Sequence, residues 1–407
     1  MKKKIKDIII NRDLWPRLEE DLKKIQEYSE NIERLPPIII NQKNILIDGF
    51  HRIKAHRTAQ LNEIECNVES VDNDDEIYLR SIELNATHGL QLSYKDKKSI
   101  AVKLYDGKNS ERLIKALSIS ERTFRGWSSN KRKQLEQERN DKILDLYLKC
   151  FTHEQIAKEL DIDRTTVTKF IDNVNIGKIA EFHNFKPFLY NLWNTSNIKN
   201  EQKHFGNFPI EFMENLLYYY TKPFEVVYDP FAGGGVTIDA CKKWFRRYYT
   251  SDLNPIPARE EDIKKHNILK ELPNDLPKVD FVFLDPPYWK QAENIYSKDK
   301  DDLANMSLDK FYNSIDYIIK SLRKKLSKGA YVAFVISATQ WKNNLEREDH
   351  ILKIYNLFIK NKFELNERII LPYSSEQYNA QQVNIIKDKK IMLNIYRDLV
   401  IFKNDKE

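Results

Sequence analysis

The chain has 407 residues, enough for two or three domains that each bury a core. Its 67 Lys and Arg against 61 Asp and Glu leave a net charge of +6, which permits a nucleic-acid partner without demanding one. Cys66, Cys150 and Cys241 stand far apart, with no CxxC pair, which argues against a metal site or a disulfide framework. No apolar run approaches the roughly 18 residues of a membrane span, and the apolar stretch in MKKKIKDIIINRD is too short for a signal peptide. The expectation is a cytoplasmic protein with no metal and no membrane partner.

In chain order, PPIII and NILID read as short strands, HRIKAHRTAQL as a helix and IECNVESV as another strand, which makes residues 1–73 a small α/β unit. Residues 74–175 change to a 3.6-residue apolar period, as in Leu113, Leu117 and Ile119 or Ile156, Leu160 and Ile162. Two stretches there, Ser110 to Trp127 and Thr152 to Ile171, have the form of helix-turn-helix units, each with a capped first helix. The early second-helix residues Arg122, Thr123, Arg125, Arg164, Thr165, Thr166 and Lys169 are then candidates to face double-stranded DNA. An ordinary helical hairpin shares the apolar spacing; the tandem arrangement, with Lys131 to Lys133 between, favours DNA.

Residues 182–407 alternate strands and helices. EVVYDPF, RRYYTSDL, DFVFLDPP, AYVAFVIS, ELNERIILP and NIYRDLVIFK are the predicted strands. Such alternation implies a mostly parallel sheet with helices on both faces and ligands at the strands' carboxyl ends. Of only ten glycines, three are consecutive, Gly233 to Gly235. They follow a buried strand in Asp229-Pro230-Phe231-Ala232-Gly233-Gly234-Gly235-Val236-Thr237, where glycine lets the backbone approach a ligand. Asp252 ends the next strand about 20 residues on, the separation of a carboxylate that binds ribose hydroxyls. Together these describe a pocket for an adenine nucleoside, while the missing third glycine of GxGxxG weighs against nicotinamide or flavin. The strand Val279 to Leu284 ends in Asp285-Pro286-Pro287-Tyr288-Trp289. The prolines stiffen the turn and leave carbonyls of fixed direction. Asp285 and the Pro286 carbonyl could then accept the hydrogens of an aromatic amine and aim its lone pair, with Tyr288, and Trp289 beside it, offering a face for an extruded base.

With those residues in view, Phe185 to Lys403 resembles the amino-group DNA methyltransferases that carry DPPY. Asp229 to Gly235 is similar to their DPFxGxG motif, and Asp285, Pro286, Pro287 and Tyr288 to their catalytic motif. His204-Phe205-Gly206-Asn207-Phe208-Pro209 is similar to the segment that packs over the methionine end of the cofactor. The resemblance implies a Rossmann-like fold with an antiparallel hairpin strand in the sheet. It implies S-adenosyl-L-methionine held by Asp229, Phe231, Gly233, Gly235, Asp252, His204, Phe205 and Pro209. It also implies transfer to adenine N6 more than cytosine N4, whose enzymes more often begin the tetrapeptide with serine. The short spacing leaves Gln291 to Asn305 and Pro372 to Gln382 as base-reading loops, so site choice is expected to come from the other half.

That half resembles the ParB/sulfiredoxin fold. Leu35 to Ile38 and Ile47 to Ala55 match its phosphate-binding box, continued by Asn85 to Leu90; this implies a nucleotide triphosphate gripped at Gly49, His51 and Arg52. Phe50 stands where sulfiredoxins carry their reactive cysteine, which argues against that redox activity. A DNA-docking module is the alternative for this domain. For the whole chain the alternative is a ParB-like DNA-binding regulator whose second half holds cofactor without turnover.

Overall fold

The computed structural model describes residues 1–87, 91–174, 185–194, 208–291, 293, 299–340, 347–372 and 380–405. The chain divides into two compact units, Met1–Asn140 and Asp141–Glu407.

In the first unit β1 (Lys2–Lys4), β2 (Ile38–Asn41), β3 (Leu46–Asp48) and β4 (Glu63–Glu69) form one sheet in the order β1-β4-β2-β3. β2 and β4 are parallel; the outer pairs are antiparallel. Ile38, Ile40, Phe50, Ile53, Ile64 and Cys66 make the core beneath the helix Phe50–Thr58. Gly49 starts that helix at φ +116°, and a Cβ there would stand 2.4 Å from Ile38 Cγ2. Glycine is thus what lets the helix begin tight against β2. A second cluster joins the helices Asp74–Thr87, Tyr94–Leu104 and Ser110–Leu117 to the start of Glu121–Leu148 through Ile77, Ile82, Ile100, Leu113, Leu117 and Phe124. The Ser110 helix lacks the expected side-chain cap: Asn109 holds the cap position and donates its amide to the Leu104 carbonyl instead. Ser120 does cap the next helix, accepting from the Thr123 amide at 3.1 Å.

In the second unit the helices His153–Glu159 and Arg164–Asn173 pack through Ile143, Ile156, Val167 and Ile171. Thr152 and Gln155 close a capping box on the first of them, while Asp163 makes no side-chain cap on the second. The rest is built on seven strands: β5 (Val226–Asp229), β6 (Arg247–Asp252), β7 (Ile263–Lys265), β8 (Val279–Leu284), β9 (Leu326–Ile336), β12 (Glu364–Pro372) and β13 (Tyr396–Lys403). β10 (Thr339–Gln340) and β11 (Arg347–Glu348) form a separate antiparallel pair.

The sheet order is β12-β13-β9-β8-β5-β6-β7, parallel from β9 to β7, with β13 antiparallel to both of its neighbours. Both faces are buried, as period-two alternation in apolar strands requires. Val227, Phe281, Phe283 and Val335 face the helices Ile210–Tyr220 and Val236–Lys243; Tyr228, Val282, Leu284 and Phe334 face Leu308–Arg323 and Ile351–Lys360. β1 and β7 are absent from the predicted strands, being three residues each and largely lysine. Among the described residues no helix is long and apolar enough to cross a membrane.

Candidate functional site

The chain leaves β5 towards β6 and β7 on one side and returns to β8 and β9 on the other. Such a reversal opens a crevice at the carboxyl ends of the two central strands, the place where open α/β sheets bind ligands. The glycine turn leaves the end of β5, and the Asp285 turn leaves the end of β8.

Asp229 is buried, 1% exposed. Its carboxylate accepts from the Thr237 hydroxyl at 2.6 Å and the Phe231 amide at 3.0 Å. It therefore braces the turn from inside. Burial pushes its carboxyl up to about 7, against those two donors, and repulsion from Asp252 and Asp285 adds to the rise. Gly233 has φ +46° and donates its amide to Asp252 Oδ2 at 3.0 Å, while Asp252 Oδ1 accepts from the Asn254 amide at 2.9 Å. Each Asp252 oxygen keeps a further acceptor position, and the residue is half-buried, so hydroxyls of a ligand can still reach it. Gly235 has φ +86°, and a Cβ there would crowd Ile238 Cδ1 at 3.3 Å and Arg259 Nε at 3.4 Å.

At the other turn Asp285 Oδ1 accepts from the Tyr288 hydroxyl at 2.7 Å. Asp285 Oδ2 stands 4.0 Å from Arg397 Nη1. Burial raises the Asp285 carboxyl above its ordinary value, and Arg397 and the Tyr288 hydroxyl pull it back down. Pro286 is buried, and Pro287 and Tyr288 are half-buried. Trp289 does not provide a base-stacking face: it is 9% exposed, with its indole NH on the Met306 carbonyl at 2.8 Å. Its carbonyl accepts from the Thr339 hydroxyl at 2.6 Å, and Thr339 meets His350 Nε2 at 3.0 Å. His350 is fully buried, and burial lowers its imidazole to about 4.

Of the residues expected over the cofactor, Pro209 is buried at the start of its helix, while His204 and Phe205 lie outside the described residues. Of the expected base-reading loops, residues 292 and 294–298 of the first and residues 373–379 of the second lie outside them as well. Thr237, Thr339, His350 and Arg397 are missing from the sequence expectation. Arg397 carried one signal: it is a charge next to the start of an apolar strand, and an antiparallel strand starts at the end where its parallel neighbours stop.

In the first unit Arg52 pairs with Asp48, and His51 Nε2 accepts from the Asp21 amide at 3.1 Å. Burial, with Arg17 near, lowers the His51 imidazole. Arg122, Arg125, Arg164, Thr165 and Lys169 are exposed, and Thr123 and Thr166 are half-buried. Arg125 pairs with Glu121 at 2.6 Å and Arg164 with Glu154 at 2.6 Å.

Residues 79–258 match the family model described as DNA methylase. The matched stretch is somewhat under half of the chain; it contains the glycine turn and Asp252 and ends before the Asp285 tetrapeptide. A curated protein, transcriptional regulator NovG of Streptomyces niveus, is 34% identical over 89 residues, 21% of this chain and 27% of that protein. Among solved structures, TrmN from Thermus thermophilus is 13% identical, covering 48% of each chain with a TM-score of 0.31. A SAM-dependent methyltransferase from Archaeoglobus fulgidus is 14% identical, covering 48% of this chain and 94% of that one with a TM-score of 0.30. The chain thus spans about a quarter of the regulator and about half of TrmN. Likenesses this remote decide neither fold nor substrate; the strand order stands on its own.

Proposed function

We propose that this chain is a DNA methyltransferase that moves a methyl group from S-adenosyl-L-methionine to the exocyclic amino group of an extruded base, adenine N6 ahead of cytosine N4. The observation that carries the reading is the meeting of two turns across the strand reversal, with Asp229 to Gly235 leaving β5 and Asp285 to Tyr288 leaving β8. The DNA methylase match over residues 79–258 supports the coarser part, a methyltransferase acting on DNA.

The residues suit such a ligand. The Asp252 carboxylate has acceptor capacity left for ribose hydroxyls, and the Gly233 to Gly235 turn offers close backbone approach. Asp229 and Asp252 place carboxyl groups at the turn where a cation is to sit. Phe231 and Pro209, with His204 and Phe205, are assigned to its cover on the strength of the family resemblance. Bound there, S-adenosyl-L-methionine supplies an electrophilic methyl group on a sulfonium.

The chain's own work is on the amine. Its lone pair is delocalised into the base, which makes it a weak nucleophile. Asp285 and the Pro286 carbonyl accept its two hydrogens and hold the nitrogen with its lone pair directed at the methyl, so that orientation and fixed dipoles carry the rate. Tyr288 supplies the base's stacking face.

Arg122, Thr123, Arg125, Arg164, Thr165, Thr166 and Lys169 are assigned to DNA docking, within a three-part division at 1–73, 74–175 and 182–407. For the N-terminal part, DNA docking is favoured over a nucleotide triphosphate at Gly49, His51 and Arg52, because Asp48 already engages the Arg52 guanidinium. The test is incubation of the full chain with labelled S-adenosyl-L-methionine and unmethylated DNA, followed by nucleoside digestion. Label in N6-methyladenine is expected; label in N4-methylcytosine would move the substrate, and no label in DNA of varied sequence would overturn the reading in favour of a regulator without turnover.

A further inference from the structure

Asp285 has two carboxylate oxygens in different circumstances. Oδ1 is occupied by the Tyr288 hydroxyl at 2.7 Å. Oδ2 faces Arg397 Nη1 at 4.0 Å, too far for a hydrogen bond and close enough for strong attraction. Both side chains are largely shielded, 12% exposed for Arg397 and 15% for Asp285, so water screens the pair little.

The sheet explains how the guanidinium arrives there. β13 runs against β9, with Asp398 opposite Ile336, so its first residues lie where β8 and β9 end. Arg397 is the second residue of β13. Its guanidinium also lies over the Phe208 ring at 5.6 Å, and Phe208 packs on Phe283 of β8 at 4.8 Å. A cation held against an aromatic face keeps its place without needing the carboxylate as a ligand.

We propose that Arg397 is a positioning residue for the amine-accepting carboxylate: it stands across from Asp285 Oδ2 as a charge that does not donate to it, which leaves that oxygen to accept a hydrogen of the base's amino group. The inference rests on the amino-methyltransferase reading for what Oδ2 receives, and on geometry alone for the effect of Arg397 on Asp285. Among the described residues the groups acting on Asp285 are Arg397 and the Tyr288 hydroxyl, while Asp229 and Asp285 repel each other. Removing the guanidinium leaves burial and that repulsion unopposed except by Tyr288, so the carboxylate takes up a proton at higher pH and loses the oxygen as an acceptor.

The test compares wild type, Arg397→Gln and Arg397→Lys as full chains. Methyl transfer from labelled S-adenosyl-L-methionine to unmethylated genomic DNA is followed against pH. In parallel the Asp285 side-chain carboxyl is titrated by carbon-13 NMR, its resonance assigned by its loss in Asp285→Asn. For Arg397→Gln the acid limb of kcat/KM and the Asp285 titration both move up by about one to two pH units, and Arg397→Lys returns them most of the way. Rescue by lysine separates charge from packing. An Asp285 titration unmoved in Arg397→Gln overturns the inference, as does an equal upward shift in both variants. If wild type transfers nothing to DNA, the functional reading fails, while the NMR titration still decides the action of Arg397.

Discussion

Replacing Asp229 by asparagine should remove a pH-dependent weakness from the ligand-free protein. In the unfolded chain this carboxyl titrates near 3.8, and in the folded chain at about 7. Between those values the folded state holds a proton that the unfolded state has released, so stability falls as pH rises through the window. At about 1.4 kcal/mol per unit the full loss is about 4 kcal/mol by pH 8. Asparagine carries no charge at any pH, and the site can accommodate it. Its oxygen can still accept the Phe231 amide, and its NH2 can donate to the Thr237 hydroxyl, which turns from donor to acceptor. Urea unfolding of the full chain, followed by tryptophan fluorescence at several values between pH 4 and 8, measures the difference between variant and wild type. That difference should grow in favour of Asp229→Asn by up to about 4 kcal/mol across the window. Saturating S-adenosyl-L-methionine should narrow it, because a cation beside the carboxylate offsets the cost of its charge. A difference that stays constant from pH 4 to 8 would refute the reasoning, since it would mean that the fold does not raise this carboxyl.

Asp285→Ala should reduce methyl transfer by on the order of 10² to 10³-fold while cofactor affinity changes little, because the proposed role of Asp285 is to hold the amine; equal losses in both would remove it from that role. Asp252→Ala should weaken S-adenosyl-L-methionine binding by roughly 10 to 100-fold in equilibrium dialysis, the value of hydrogen bonds to a charged acceptor. An unchanged affinity would rule out the ribose assignment. Arg164→Ala should weaken DNA binding about equally for all sequences and lower the salt slope of log affinity by about 1, as loss of one phosphate contact does. A change confined to one DNA sequence would instead make Arg164 a base contact.

The six strands predicted for residues 182–407 were legible because each holds a run of β-branched, aromatic and other apolar residues, from Tyr248-Tyr249 and Val226-Val227-Tyr228 at the short end to Ala330 through Ile336 at the long end. β1 and β7 offer Lys-Lys-Lys and Ile-Lys-Lys, which have no such signal; partners across the sheet make them strands. The spacing of Asp229, Gly233, Asp252 and Asp285 was readable because glycine turns and strand-end acids recur at fixed offsets. The direction of their hydrogen bonds was not. Asp229 stands inside its own motif, yet its oxygens point at Thr237 and Phe231 rather than at a ligand, a distinction that only coordinates carry. Trp289 gives the same lesson: an aromatic beside the tetrapeptide reads as a stacking surface until its indole is found buried and bonded to Met306. Arg397, 112 residues beyond Asp285 in the numbering, enters the site only because β13 is antiparallel.

The burial of Trp289 also bears on how the tetrapeptide is kept in place. Thr339 donates its one hydroxyl proton to the Trp289 carbonyl, so its oxygen is left to accept, and His350 Nε2 at 3.0 Å must be the donor. With its imidazole lowered to about 4, His350 is neutral, and a proton on Nε2 leaves Nδ1 as an acceptor. Tyr312 then has one proton and two candidates, His350 Nδ1 at 2.8 Å and Glu348 at 3.2 Å. The shorter contact to an otherwise unfilled acceptor wins, which orients the chain Tyr312 to His350 to Thr339 to the Trp289 carbonyl in one direction. A protonated His350 would lose its acceptor and could not keep that order. Burial that holds the histidine neutral therefore fixes the backbone one residue beyond Tyr288, and with it the hydroxyl that Tyr288 gives to Asp285, so the Asp285 carboxylate inherits its placement from a core that no ligand has to organise.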